Sequence, residues 1–496
     1  APEVLRRFYA TRAYRPAWAE RQRVAAFAEA LQTLEGDGLD PRDYRADALA
    51  AEQRRLKEGG AEAEALARFD LQASEALLTA LRHLQRGRLD PRQVDPRWEI
   101  PLKAPPLDLA AISRAVDGER FDQAFGEARP PYAPYERLRS GLARYRNIER
   151  LGGWPGLPDT PRVLRAGDVD DAVAQLRRRL AMEGELEVMA ADTDAFPGAE
   201  LQSPDPRRFD TALEAAVRRF QRRHLLEVDG VVGPQTRAAL NVPVAARIDQ
   251  IRINLERARW LLHGLPEAFV LVDIAGYRLS YFRPNGEIWQ SRIVVGQPYR
   301  RTPSLRSEIT HMTVNPTWTV PPTILREDVL PRVRRDPSYL QSQNMRVLTP
   351  SGQRLDPWQV DWYNPGNVMI RQDPGPQNAL GQVVIRFPND HLVYLHDTPA
   401  QGLFAREQRA FSSGCIRVEG VLAFAQLLFD DTGSGQDVRA LIASGQTRNV
   451  SLGRPMPVIL HYWTVHPDEN GQLVFRPDIY ERDDALLRAL DRPLAL

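Results

Sequence analysis

Cys415 is the only cysteine among the 496 residues, and His396 lies 19 positions before it. The thiolate is the nucleophilic form of cysteine, and it needs a base or a positive surrounding to exist near neutral pH. Histidine is the usual base, because its free pKa lies near the working pH. A strand carrying His396 can return through a loop beside a turn carrying Cys415. In Ser412-Ser413-Gly414-Cys415-Ile416-Arg417, small polar residues precede the thiol and a cation follows two positions on. That is the electropositive, accessible setting of a reactive thiol, whereas an inert cysteine packs as a small hydrophobe in apolar surroundings. Ser413 and Gly414 permit a tight bend that aims the N–H groups of Gly414 and Cys415 at one point, as an oxyanion hole requires. The chemistry this predicts is acyl transfer through a thioester.

Metal and nucleotide chemistry find less support. There is no His-Glu-x-x-His and no cysteine cluster. His391 and His396 are five apart, as are His461 and His466, and an odd separation on a strand points two side chains to opposite faces. No glycine-rich phosphate pattern stands between a strand and a helix. No metal and no cofactor is expected.

Stepping outward to the elements that must hold the thiol, 496 residues suggest about three domains. The net charge of +1, without a long Lys/Arg run, argues against a nucleic-acid protein. No apolar run reaches the ~18 residues of a membrane span. The chain starts at Ala1-Pro2, with neither a basic n-region nor an apolar h-region, and reads as an exported chain whose leader has been removed. One cysteine allows no internal disulfide, so an exposed thiol in an oxidising compartment points to a task.

Residues 1–155 read as a helical scaffold. Val24, Phe27, Leu31 and Leu34 form one apolar stripe, and Leu77, Leu78, Leu81 and Leu84 another. Gly38-Leu39-Asp40-Pro41 and Leu89-Asp90-Pro91 punctuate helix ends. His83 reads as a packed side chain. Residues 156–243 predict a small three-helix module, with a long loop at 188–208. Residues 244–266 form an amphipathic linker helix. From Phe269 the apolar period changes to two, and Pro284-Asn285-Gly286 marks a hairpin. Strands are expected over 269–274, 278–282, 288–295, 308–315, 382–387, 392–396 and 458–465, with a closing helix at 477–494. The fold class is α+β multidomain: helical scaffold, three-helix module, and a mostly β domain over 267–496 with an insertion at about 319–367. An insertion of that length beside a site is often a lid.

The cysteine segment resembles the signature of the L,D-transpeptidases of the YkuD type. In that pattern a histidine is followed, after a gap, by Ser/Thr-His-Gly-Cys-hydrophobic-Arg/Asn. Ser413 stands where most of the family has histidine. Arg371 to Gly381 resembles the family's Pro-Gly-x-x-Asn-x-Leu-Gly loop. Leu164 to Asn241 is similar to a peptidoglycan-binding module. Tyr14 to Trp18 and Gly38 to Tyr44 resemble the N-terminal region of YcbB-type members, in which a capping subdomain occupies the insertion. The resemblance implies a peptidoglycan transferase of the periplasm of a Gram-negative bacterium, active in cell-wall biogenesis and cell shape and open to carbapenems. It would form 3→3 cross-links between stem peptides, from a tetrapeptide donor to a diaminopimelate acceptor. Other wall-synthesis enzymes are candidate partners.

On this reading Cys415 is the nucleophile and His396 the base, with Ser413, Gly414 and Cys415 supplying oxyanion N–H groups. Asp397 orients the imidazole through its side chain or its carbonyl. Tyr394 walls the donor pocket, and Ser412 and Trp318 border the substrate, although Trp318 reads equally as core. Asn378 shapes its loop or touches substrate. Arg417 binds a stem carboxylate or pairs internally, the internal pairing being the preferred reading. Two other functions stay open: hydrolysis of the same bond by an L,D-carboxypeptidase or cysteine peptidase, and a non-catalytic wall-binding scaffold, which only Ser413 favours.

Overall fold

The cysteine segment lies in a β-sheet that returns on itself. The computed structural model describes residues 2–59, 62–186 and 205–494, so most of the long loop expected at 188–208 lies outside the described residues. The chain divides into two units. One comprises residues 97–100 and 266–462, the other residues 1–96, 101–265 and 463–496.

In the first unit the sheet strands are β1 (Trp98–Glu99), β2 (Phe269–Asp273), β3 (Arg278–Phe282), β4 (Ile288–Gly296) and β5 (Ser304–Val314). The inserted segment carries β6 (Trp318–Thr319), β7 (Met345–Leu348), β8 (Arg354–Leu355) and β9 (Met369–Gln372). Then come β10 (Val383–Arg386), β11 (Leu395–His396), β12 (Ala410–Ser412), β13 (Ile416–Val418) and β14 (Arg448–His461). The sheet runs β1-β5-β10-β11-β13-β4-β3-β2-β14, with β12 beside β4, and β14 pairs with β5 as well as β2, which closes the ring. In β3 the buried Leu279 and Tyr281 alternate with more exposed neighbours, as a half-buried pleat demands, whereas Ile293 to Val295 in β4 and Val383 to Ile385 in β10 are buried on both faces.

The insertion is wider than expected. Its sheet, ordered β6-β9-β7-β8, takes in Trp318 at one end and Met369–Gln372 at the other. It has a core of its own built from Val320, Val329, Val333, Leu340, Val347, Trp362 and Ile370. A helical stretch runs over 322–335, and its middle, Leu325–Val329, is wound as a π-helix. Such π segments occur mostly as single turns and often at functional sites.

The second unit is helical, and the two predicted stripes are buried in one core: Val24, Phe27, Leu31 and Leu34 with Leu77, Leu78, Leu81 and Leu84. Asp40 and Asp90 each accept a hydrogen bond from the backbone two residues on, and each is followed by proline at the first helical position. The two Asp-Pro pairs therefore start short helices as well as punctuating them. His83 is buried and its Nδ1 lies 2.8 Å from the Tyr44 hydroxyl. The module's helices are Asp171–Met182, Thr211–Arg223 and Pro234–Leu240, around Val173, Leu176, Leu180, Leu213, Val217 and Phe220. A hairpin of β15 (Val465–Pro467) and β16 (Leu473–Phe475) belongs to this unit, as does the last helix, Asp483–Leu490. The sequence reading had run the β domain to residue 496. The tail groups instead with the helices because its apolar and backbone groups pack there: Leu473 fills the space over Gly141, and its carbonyl accepts from Arg223 at 2.7 Å. The fold is α+β and multidomain.

Candidate active site

Register, more than any single contact, assembles the site. β11 and β13 run parallel with Leu395 opposite Ile416 and His396 opposite Arg417. The Ile416 N–H donates to the Tyr394 carbonyl at 3.0 Å, which carries the pairing back to Cys415 beside Tyr394. Partners across a ladder project to the same face, and so do residues two apart. Tyr394, His396, Cys415 and Arg417 therefore share one face. All four line one cavity of about 660 Å³, together with Trp318, Arg300, Asp328, Leu392, Ser412, Ser413 and Gly414.

His396 is 4 % exposed, and its Nδ1 lies 2.5 Å from the Asp397 carbonyl. A carbonyl only accepts, so Nδ1 carries the proton and Nε2 keeps its lone pair. Burial and the neighbouring Arg417 push the imidazole down to about 3, against the pull of the Asp397 carbonyl. The ring is a neutral base at any ordinary pH. The Asp397 carboxylate faces elsewhere: it accepts from the Gln382 N–H at 3.0 Å. Of the two expectations for Asp397, the structure shows the carbonyl. The carboxylate needs a glycine beneath it, since a Cβ on Gly381 (φ +62°) would come within 2.3 Å of Asp397.

The Cys415 sulfur lies 3.9 Å from the Leu392 carbonyl. Burial pushes the thiol above its ordinary value, opposed by the Tyr394 N–H and hydroxyl and by Arg417 and Arg386. A raised thiol beside a lowered imidazole makes a resting pair of neutral S–H and neutral ring. Tyr394 sets its ring edge-on to His396, with centroids 5.7 Å apart, and the Arg386 guanidinium lies over its other side.

Two expectations are corrected, and a third is settled between its two readings. The Gly414 N–H donates to Ser412 Oγ at 3.1 Å, so it is engaged inside the loop and not directed at the reacting centre. Ser412 itself is buried and donates to the Cys415 carbonyl at 2.5 Å, which makes it a staple of the turn in place of a substrate contact. Asn378 is 1 % exposed, donates to the carbonyls of Pro316 (3.0 Å) and Asp373 (2.9 Å), and accepts from the Leu380 N–H (2.8 Å). Both amide N–H groups and the amide oxygen are engaged in shaping the loop, which is the first of its two readings. Gly414 holds φ +116°, a conformation open to glycine, which is why the turn before the thiol needs it.

Arg417 departs from the preferred reading as well. Among the described residues no carboxylate lies within ion-pair distance of it, and its buried Nε has no hydrogen-bond partner. Burial lowers its pKa, and only the sulfur opposes this. A buried cation without an anion is costly, and a ligand carboxylate would relieve the cost. Trp318 serves both readings, half-buried against the core of the insertion while lining the cavity.

Sequence reasoning missed two arginines and a leucine. Arg97 enters the cavity because β1 adds to the sheet at β5, Trp98 opposite Ser304. Two residues carry no readable period. Arg300 lies in the loop after β4, and its role rests on partners distant in sequence. Leu392 stands 81 % exposed at φ +55° over the thiol, a strained backbone for a leucine. Among the described residues no group of three or more His, Cys, Asp or Glu is placed to hold a metal ion.

Comparison with known proteins agrees with this geometry. Residues 267–439 match the family model described as L,D-transpeptidase catalytic domain (YkuD). Residues 170–240 match "Putative peptidoglycan binding domain", and residues 3–142 match a scaffold domain. The chain thus carries a YkuD L,D-transpeptidase catalytic domain together with a peptidoglycan-binding domain. A Haemophilus influenzae protein named "Putative L,D-transpeptidase" is 38 % identical over 218 residues, a match that covers 43 % of this chain and 44 % of that protein. Two solved structures are also similar. An L,D-transpeptidase from Mycobacterium smegmatis shares 15 % identity at a TM-score of 0.19, over 39 % of this chain and 58 % of that one. The L,D-transpeptidase of Xylanimonas cellulosilytica shares 16 % at 0.18, over 61 % of this chain and all of that one. Scores that low carry no argument about the fold.

Proposed function

We propose that the chain joins peptidoglycan stem peptides by 3→3 cross-links, through a thioester on Cys415, in the periplasm of a Gram-negative bacterium. The observation that carries this reading is the shared face of β11 and β13, which brings a neutral base and the one thiol into a single cavity. Cys415 attacks the carbonyl that follows diaminopimelate in a tetrapeptide donor. The thiol proton passes to Nε2 of His396, while the Asp397 carbonyl steadies the imidazolium through Nδ1–H. N–H groups of the turn, Ser413 and Cys415 foremost because Gly414 is engaged, hold the oxyanion. Collapse breaks the C–N bond, and D-alanine leaves with the proton from His396. An acceptor amine then attacks the thioester, giving up its proton to His396, and the thiol is restored. Arg417 receives a carboxylate of the donor stem. Stem peptides are the partners, and the same sulfur is the expected site of carbapenem acylation.

Intact-mass analysis with a tetrapeptide donor tests the reading. A covalent adduct lacking one D-alanine, resolved by a second stem into a dimer, is expected. Trimmed tripeptides without dimers would replace transfer with hydrolysis. No adduct, together with resistance of Cys415 to iodoacetamide in the folded protein, would leave a wall-binding scaffold.

A further inference from the structure

The insertion is tied to the nucleophile's turn by one side chain. Arg300 follows β4. Its Nη2 lies 2.6 Å from Glu327 and its Nη1 2.7 Å from Asp328, both on the π-wound turn Leu325–Val329. The same Nη1 donates to the Ser413 hydroxyl at 2.7 Å. The Arg300 side chain is only 12 % exposed, although its two carboxylates are 42 % and 44 % exposed. A planar guanidinium held by two acids has its direction fixed, and so does the donor it offers to a third group. The far side of the turn is anchored separately: Thr302 Oγ1 donates to the Gly414 carbonyl at 2.9 Å and accepts from the Gly296 N–H at 2.9 Å. The two residues before the thiol are therefore held from the loop 297–302, and the Ser413 side is held only as well as Glu327 and Asp328 hold Arg300.

We propose that Arg300 is a positioning residue that makes the shape of the Cys415 turn depend on the seating of the insertion, acting through the hydroxyl of Ser413. The serine is then a working feature of this chain. A hydroxyl accepts from an arginine, which a protonated imidazole at the same position would repel. With Glu327 and Asp328 in place, Arg300 fixes the Ser413 side chain and with it the Ser413 end of the turn, while Thr302 holds the peptide that carries the Cys415 N–H. When the insertion lifts, the acids leave, the guanidinium turns to water, and the turn loosens. The inference rests on the proposed transfer reaction for its consequence in turnover, but the coupling itself does not require that reaction.

Two measurements test it: turnover of donor to dimer, and the rate at which iodoacetamide alkylates Cys415 in the folded protein. Glu327→Gln with Asp328→Asn should lower kcat about tenfold or more with KM changed less than about threefold, because the contacts act on the turn and not on substrate. Arg300→Gln should do the same, and Arg300→Lys should recover part of the loss. Arg300→Gln and Ser413→Ala should each shift the alkylation rate by about threefold or more, and the double variant should show no further shift, since both cut one path. Additive shifts, or alkylation of the Glu327/Asp328 variant at the parent rate, would overturn the proposal. If the parent protein forms no thioester, the transferase reading fails, while the alkylation cycle still decides the coupling.

Discussion

Two charge clusters, one in each unit, treat buried charge in opposite ways. In the helical unit Glu183 and Arg259 are both paired. Glu183 is held by Arg179 at 2.6 Å, by Arg223 and by the Tyr145 hydroxyl, and Arg259 pairs with Glu256 at 2.6 Å while donating to the Asp37 and Tyr135 oxygens. Attraction to Arg179 and Arg223 outweighs burial and keeps Glu183 well below the usual carboxylate range. In the catalytic unit the half-buried cation Arg417, the thiol and the imidazole meet with no carboxylate among them. Paired charge in the interior specifies an arrangement, and unpaired charge there marks a place where a ligand completes the set.

Removing the chemistry itself should have the largest effect. Cys415→Ala or His396→Gln should cut dimer formation by about 10³-fold or more, measured as initial rate, with the denaturation midpoint little changed. Next comes the network. Glu183→Gln leaves Arg179 and Arg223 buried without an anion, and it should cost about 3–5 kcal/mol in chemical denaturation. Arg417→Met is the opposite case. It removes a half-buried cation that has no carboxylate partner among the described residues, so stability should hold or rise, while kcat/KM for the anionic donor falls about tenfold or more. A loss of several kcal/mol in Arg417→Met would erase the contrast between the units.

The smallest effect is on pH dependence. Burial lowers His83 to about 3 and His224 well below its ordinary 6.5. Both are neutral when folded and bind protons when unfolded, so their contribution is present above 6.5 and is lost as pH falls toward 3. His224 stacks between Phe220 and Phe475, and His224→Phe should flatten this part of the acid limb. The acid limb of kcat/KM, by contrast, should lie far below 6.5, because His396 stays an unprotonated base.

The meeting of Cys415 with His396 and the loop role of Asn378 were legible because each follows from residue type within a short window. Helix stripes and hairpins were legible by period. What stayed hidden depends on distant partners or on broken period. β14 was read only from Val458, since Pro455 and Pro457 interrupt its first half, where the ladder slips between Ser451 and Met456. The preferred internal partner for Arg417 failed because no spacing rule can show that a carboxylate is missing. Arg97 lies more than three hundred positions from Cys415, and a two-residue strand leaves no pattern to read.

The closed ring of the sheet has a consequence for how the protein is made. Val458 pairs with Val270 on one side and Ser307 on the other, while Trp98 pairs with Ser304. The barrel cannot shut until β14 has emerged, and until then the flanks of β2 and β5 stand open as templates for other chains. Closure over such long sequence separations is slow, so refolding from denaturant should take milliseconds to seconds or longer and should lose yield as concentration rises.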